Sequence, residues 1–289
     1  MNKQTNILLL ISVIAISLAA ILVKLSNAPS SVISMNRMFI AVILLVPFAY
    51  RYKKEIFKLS IKDFLYLVLA GLFLALHFGL WFGSLKLTTV ASSTVILSLQ
   101  PIIAIIASFL FYKEKITLKV LSTILISFIG VVIVSWGDFN ITDLTVMIGN
   151  VLSLLSVISI VCYLMIGKNA MLKLTHWVYS IIVFFFAGVF LLIYNIITHT
   201  TLVNYSMKEW LLFISLAIFP TIAHVIFNYL LNIINPTTIS MSMLLEPVGA
   251  SILAIFILKE YLGYLQILGI TIVLVGLYFF LKAQKTEVT

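Results

Sequence analysis

Charge is scarce in this chain. Asp, Glu, Lys and Arg make up 9% of its 289 residues, 63% are hydrophobic, and the mean hydropathy is +1.24. A soluble domain of this length could not cover such a surface with polar groups. Cysteine is nearly absent: Cys162 is the single one, inside an apolar run. A disulfide within the chain is excluded, and a thiolate metal site is not expected. His77, His176, His199 and His224 are scattered without metal-ligand spacing. No glycine-rich phosphate loop ends in Lys-Ser or Lys-Thr, and no serine has an evident partner base. The chain is therefore expected to hold no metal or cofactor and to be no enzyme.

What remains is a series of continuous apolar runs of helical length, without the alternation of β-barrel strands. They predict an all-α membrane protein with ten transmembrane helices, at 7–25, 31–50, 64–84, 90–112, 118–136, 145–167, 177–197, 209–231, 236–258 and 261–282. The first run could be mistaken for a signal peptide. It is long for one, and its removal would leave the first half one helix short. The loops are short, which leaves no room for a soluble catalytic module.

With both termini in the cytoplasm, thirteen basic residues lie inside and four outside (Lys24, Lys86, Lys208 and Lys259). Asp138 and Asp143 fall in an outside loop without a basic neighbour. The positive-inside rule selects this orientation. It also accounts for the net charge of +9 without a nucleic-acid partner.

The chain repeats itself. An offset of 146 aligns Leu99 with Leu245, Pro101 with Pro247, Lys113-Glu114 with Lys259-Glu260, and Gly130 with Gly276. Two five-helix domains follow, 7–136 and 145–282. An odd number of helices per copy predicts a 5+5 inverted repeat, the arrangement that alternating access uses.

On these residues the sequence resembles the drug/metabolite transporter superfamily, specifically its ten-helix EamA-domain transporters. The stretch from Pro101 to Glu114, the stretch EPVGASILAIFILKE from Glu246 to Glu260, and Asn36-Arg37-Met38-Phe39 with Ala41 carry the likeness. Gln100 stands where the second copy has Glu246. The resemblance implies a secondary transporter of the cytoplasmic membrane, commonly an exporter of amino acids, related metabolites or toxic amphiphiles.

A polar side chain inside a bilayer is expensive, so each one is a candidate. His224, Asn228 and Asn232 recur every fourth residue on helix 8 and read either as a wet face or as interhelical glue. Glu246, near the middle of helix 9, could exchange a proton or be held structurally. Arg37, roughly 9 Å from the end of helix 2, could bind a carboxylate, snorkel outward or pair with Glu246. His77 and Trp81 are one turn apart, where they could stack on a substrate. Gln100, Asn150 and Ser153 complete the substrate-binding candidates. Pro101 and Pro247 are candidate hinges. Glu114 and Glu260 read as tethers between consecutive helices.

The expected function is alternating-access transport, most often export, of a small metabolite such as an amino acid. The expected partners are that solute and membrane lipids, with proton coupling through Glu246. A homodimer stays open. The rivals are an intramembrane lipid-modifying enzyme, a multidrug exporter of the same fold, and a non-transporting receptor.

Overall fold

In a computed structural model, residues 3–88, 90–97, 99–113, 117–135, 144–243, 245–258 and 264–287 are described. Every regular element among them is helical: α1 (Lys3–Leu25), α2 (Ser30–Tyr50), α3 (Ile61–Leu87), α4 (Val90–Leu97), α5 (Gln100–Tyr112), α6 (Leu118–Ser135), α7 (Leu144–Ala170), α8 (His176–Ile197), α9 (Met207–Leu230), α10 (Pro236–Met243), α11 (Leu245–Leu258) and α12 (Tyr264–Glu287). A 3-10 turn at Lys53–Lys58 links α2 to α3. Six helices (α1, α2, α3, α7, α8 and α9) are each long and apolar enough to cross a membrane.

The expected fourth span appears as two helices, α4 and α5. Pro101 cannot donate to a carbonyl one turn back, so it is tolerated in the first turn of a helix and not in its middle. Accordingly α5 starts at Gln100, with Leu99 as its N-cap and Pro101 in its first turn. Pro247 lies in α11, and residue 244 before that helix is outside the described residues. Pro101 thus marks a helix start, while Pro47 in α2 and Pro220 in α9 lie inside their helices.

Serines set two other starts. Ser60 accepts from the backbone N–H of Asp63 at 3.1 Å, and Ser206 from that of Glu209 at 3.4 Å. A Ser followed three residues on by a carboxylate is an N-terminal capping pattern. The two caps lie 146 residues apart and extend α3 and α9 beyond the expected spans 64–84 and 209–231.

The core is a bundle in which α3 packs on α7 and α8, α1 on α9, and α2 on α8. The helices α6 and α12 pack on each other, the fifth of each set. Their seam is reciprocal: a Cβ on Gly130 would lie 2.8 Å from the Val273 nitrogen, and one on Gly276 would lie 2.9 Å from the Ser127 nitrogen. Leu10, Ile14, Ile43, Phe48, Leu65, Phe109, Leu125, Ile129, Phe256 and Tyr278 are exposed and apolar, as a lipid-facing belt requires.

The bundle has two ends. One carries the α1–α2 turn, the end of α3 and the start of α9, joined by Asn27–Glu209 and Lys86–Ser26 bonds. The other carries the start of α3, the α7–α8 turn and the end of α9, joined by Lys173–Asp63, Thr175–Glu55 and Lys168–Leu231 bonds. Glu114, Lys115, Asp138, Asp143, Lys259 and Glu260 lie outside the described residues.

Candidate functional site

Arg37 projects from α2 into the centre of the bundle and is 0% exposed. It neither snorkels nor forms an ion pair at hydrogen-bond distance. Its guanidinium carbon sits 3.6 Å over the Phe78 ring centroid, a cation–π contact. Among the described residues none offers a hydrogen bond to any of its three nitrogens. Glu246 of α11 and Tyr163 of α7 are within electrostatic reach of it. Glu246 is itself buried, and its Oε1 has no partner.

His224 of α9 lies across the same phenylalanine, edge-on at 5.3 Å between ring centroids. Tyr163, Phe184 and Phe227 enclose it further. Both of its ring nitrogens lack a partner, as does the Thr221 hydroxyl one turn earlier. On α3, His77 stacks with Trp81 at 5.8 Å, and the Trp81 indole Nε1 is buried and unpaired. Buried polar groups are nearly always hydrogen-bonded, and an unpaired buried cation is the most expensive exception. Three of the exceptions, Arg37, His224 and Trp81, gather around Phe78.

The polar groups beside them are satisfied. Tyr163 donates to Asn228 Oδ1 at 2.5 Å, and Asn228 Nδ2 donates to Ser180 Oγ of α8 at 2.9 Å. His77 Nδ1 lies 3.1 Å from the Ser156 carbonyl of α7. This network fixes the orientation of Tyr163 and Asn228 and leaves Arg37, His224, Trp81 and Glu246 with unpaired atoms. The cluster draws on α2, α3, α7, α8, α9 and α11, hence on both copies of the repeat.

Other candidates lie apart. Asn232 is exposed in the turn after α9, because that helix ends at Leu230 and the four-residue spacing then no longer defines a face. It does not extend the His224–Asn228 face. Ser153 donates to the Ser93 carbonyl at 2.8 Å, and Ser93 also takes a bond from Ser84, so this stripe binds α7 to α4 and α3. Asn150, half-buried, sits one turn earlier with Oδ1 unpaired. Gln100 Nε2 donates to Met243 Sδ at 3.0 Å, joining the start of α5 to the end of α10.

Phe78, Ser180 and Phe184 are the members the sequence did not single out. An aromatic or a serine in an apolar run carries no signal of its own. Only the position of Phe78 next to His77 could have pointed to it.

A separate cavity of about 660 Å³ opens between α3, α5 and α7. Tyr66, Phe73, Phe111, Cys162 and Met165 form its wall, and Lys62, Asp63 and Lys173 stand at its mouth. Cys162 borders this cavity, while the adjacent Tyr163 belongs to the polar cluster.

Comparison with known proteins agrees with this architecture. A transporter of Archaeoglobus fulgidus, described only as uncharacterized, is 24% identical over 285 residues, covering 96% of this chain and 97% of that one. An uncharacterized transporter of Clostridium kluyveri is 26% identical over 247 residues, covering 82% of this chain and 78% of its own. A solved crystal structure, described only as that of a protein, has a TM-score of 0.81 at 14% identity, covering 99% of this chain and 100% of that one, a likeness of fold. The EamA-like transporter family matches twice, over residues 3–136 and 147–282. The chain is thus a multi-pass membrane protein that belongs to the EamA-like transporter family.

Proposed function

We propose that this transporter moves an amino acid or a closely related small zwitterion across the cell membrane. The motion is alternating access of two inverted five-helix repeats, 7–136 and 145–282, with both termini cytoplasmic and net flux outward. The observation that carries this reading is the buried, unpaired Arg37 guanidinium set between helices of both copies, with Glu246 within electrostatic reach. A carboxylate fits the planar fork of Arg37, which is already oriented by Phe78. A substrate ammonium is drawn to Glu246, and a side chain fits against Phe78, Trp81 and Phe184. His224 and Trp81 supply further hydrogen bonds. A zwitterion leaves the site electrically neutral, which a dry interior requires.

This chemistry favours a zwitterion over the cationic amphiphiles of a multidrug exporter, because Arg37 repels a lone cation. An intramembrane enzyme would need His77, His224 and Glu246 to cooperate. His77 instead faces the Ser156 carbonyl, and His224 bonds to no protein group.

The test is counterflow of radiolabelled amino acids in proteoliposomes. Arg37→Gln is expected to lower apparent affinity by roughly tenfold or more, the scale of a lost charge-assisted bidentate contact. Unchanged affinity in that variant would remove Arg37 from the binding site.

A further inference from the structure

The two ends of the bundle carry the same contact twice, and the two versions differ. At the first end, Glu209 in the first turn of α9 holds the α1–α2 turn. Its Oε1 accepts from the Asn27 backbone N–H at 2.8 Å, and its Oε2 accepts from the Ser26 hydroxyl. Lys86 donates to the Val23 carbonyl at 3.2 Å and to the Ser26 carbonyl at 2.5 Å, closing the end of α3 over the same turn. Lys24 donates to the Thr88 carbonyl at 3.1 Å.

The repeat offset of 146 takes Asn27 to Lys173, places Asp63 opposite Glu209, and takes Thr88 to Ile234. At the second end those positions are joined as well. Lys173 donates to Asp63 at 2.6 Å, and Lys168 donates to the Ile234 carbonyl at 3.5 Å. Glu209 and Asp63 both follow a capping serine, so each carboxylate is delivered by the first turn of a capped helix.

The settings are opposite. Glu209 is 6% exposed and multiply bonded. Lys173 and Asp63 are 60% and 25% exposed, and both stand at the mouth of the cavity between α3, α5 and α7. At the first end the carboxylate is buried, and at the second it stands in an exposed ion pair.

The geometry points to Glu209 with Ser26 and Asn27, and Asp63 with Lys173, as a pair of latches on the two ends that release in alternation. Here both latches are engaged, and the Asp63–Lys173 pair borders the cavity between α3, α5 and α7. This rests on the transporter reading above and assigns it the residues that set which end is open. An exposed pair contributes little by itself and is easily broken. The buried carboxylate, held by a backbone N–H and a hydroxyl, is the stronger of the two.

Cys162 gives a built-in reporter, because it is the chain's single thiol and lines the wall of that cavity. The experiment follows N-ethylmaleimide alkylation of the full-length protein in liposomes by mass spectrometry. Asp63→Asn is expected to speed labelling, and Glu209→Gln to slow it by letting the first end open, each by roughly twofold to fivefold. Asp63→Lys combined with Lys173→Asp restores the parental rate. Should Glu209→Gln not fold, Ser26→Ala removes one bond to the same carboxylate and carries the same expectation. A rate unchanged in either variant, or both rates moving the same way, overturns the latches. Opposed shifts without counterflow of any amino acid would remove the transport reading and leave the latches standing. Counterflow with labelling that does not shift would do the reverse.

Discussion

Arg37 illustrates what one side chain discloses before its surroundings are known. Its presence in an apolar helix marked it as exceptional, but charge and spacing left three destinations open. Burial resolves the geometry, since the guanidinium lies under Phe78 and not at the end of α2. The phenylalanine was invisible in the sequence because aromatics make up 13% of the chain and most of them fill space. Glu246 was legible for the opposite reason, as an acidic residue at the middle of a predicted span. A proton-coupled cycle through this carboxylate predicts that flux depends on pH in the parental protein and that Glu246→Gln abolishes the dependence. Counterflow measured across a series of symmetric pH values decides this, and an identical profile in the variant removes Glu246 from coupling. Asn232 shows how a periodic pattern misleads. A four-residue spacing places side chains on one face only while the helix continues, and α9 stops two residues earlier.

At the level of helices, apolar runs set the helical character and order of the elements well, because the bilayer demands about 20 residues per crossing. Boundaries and interruptions were harder to read. The capping patterns of Ser60 with Asp63 and Ser206 with Glu209 are present in the sequence, yet they stand beside runs whose hydropathy draws the eye inward. The start of α5 at Gln100 follows from the proline's missing donor, and a hydropathy window averages across that interruption. The glycines between α6 and α12 were legible as matched positions of the repeat, though not by partner. A Cβ on Gly130 would stand 2.8 Å from the Gly269 carbonyl oxygen and the Val273 nitrogen, both backbone atoms that cannot rotate away. Gly130→Ala is therefore expected to destabilise the protein by roughly 1–3 kcal/mol. Gly79→Ala, whose added carbon would meet only Leu191 at 3.4 Å, serves as the tolerated control. Thermal unfolding in detergent compares the two, and equal midpoints would show that the seam gives way.

Across the whole molecule, the internal duplication was the most legible property, because Pro101/Pro247 and Gly130/Gly276 keep one register over the repeat. The latches were not legible, since Asn27 and Lys173 share neither chemistry nor charge and their equivalence appears only once their contacts are known. The proposed orientation predicts that green fluorescent protein fused after Thr289 fluoresces and that alkaline phosphatase fused there stays inactive. The reverse pair of signals would turn the molecule over and exchange the roles of its two ends. The reciprocal glycine seam bears on how such a molecule could move. Where α6 and α12 meet at backbone distance, no long side chain intervenes that could re-pack as the helices shift. Translation along the seam would drive the walls of each glycine notch into the Ser127 or Val273 backbone seated there. Tilting about the contact leaves both notches filled. In the proposed alternating access the seam would serve as the fulcrum, its direction setting the axis about which the two copies swing.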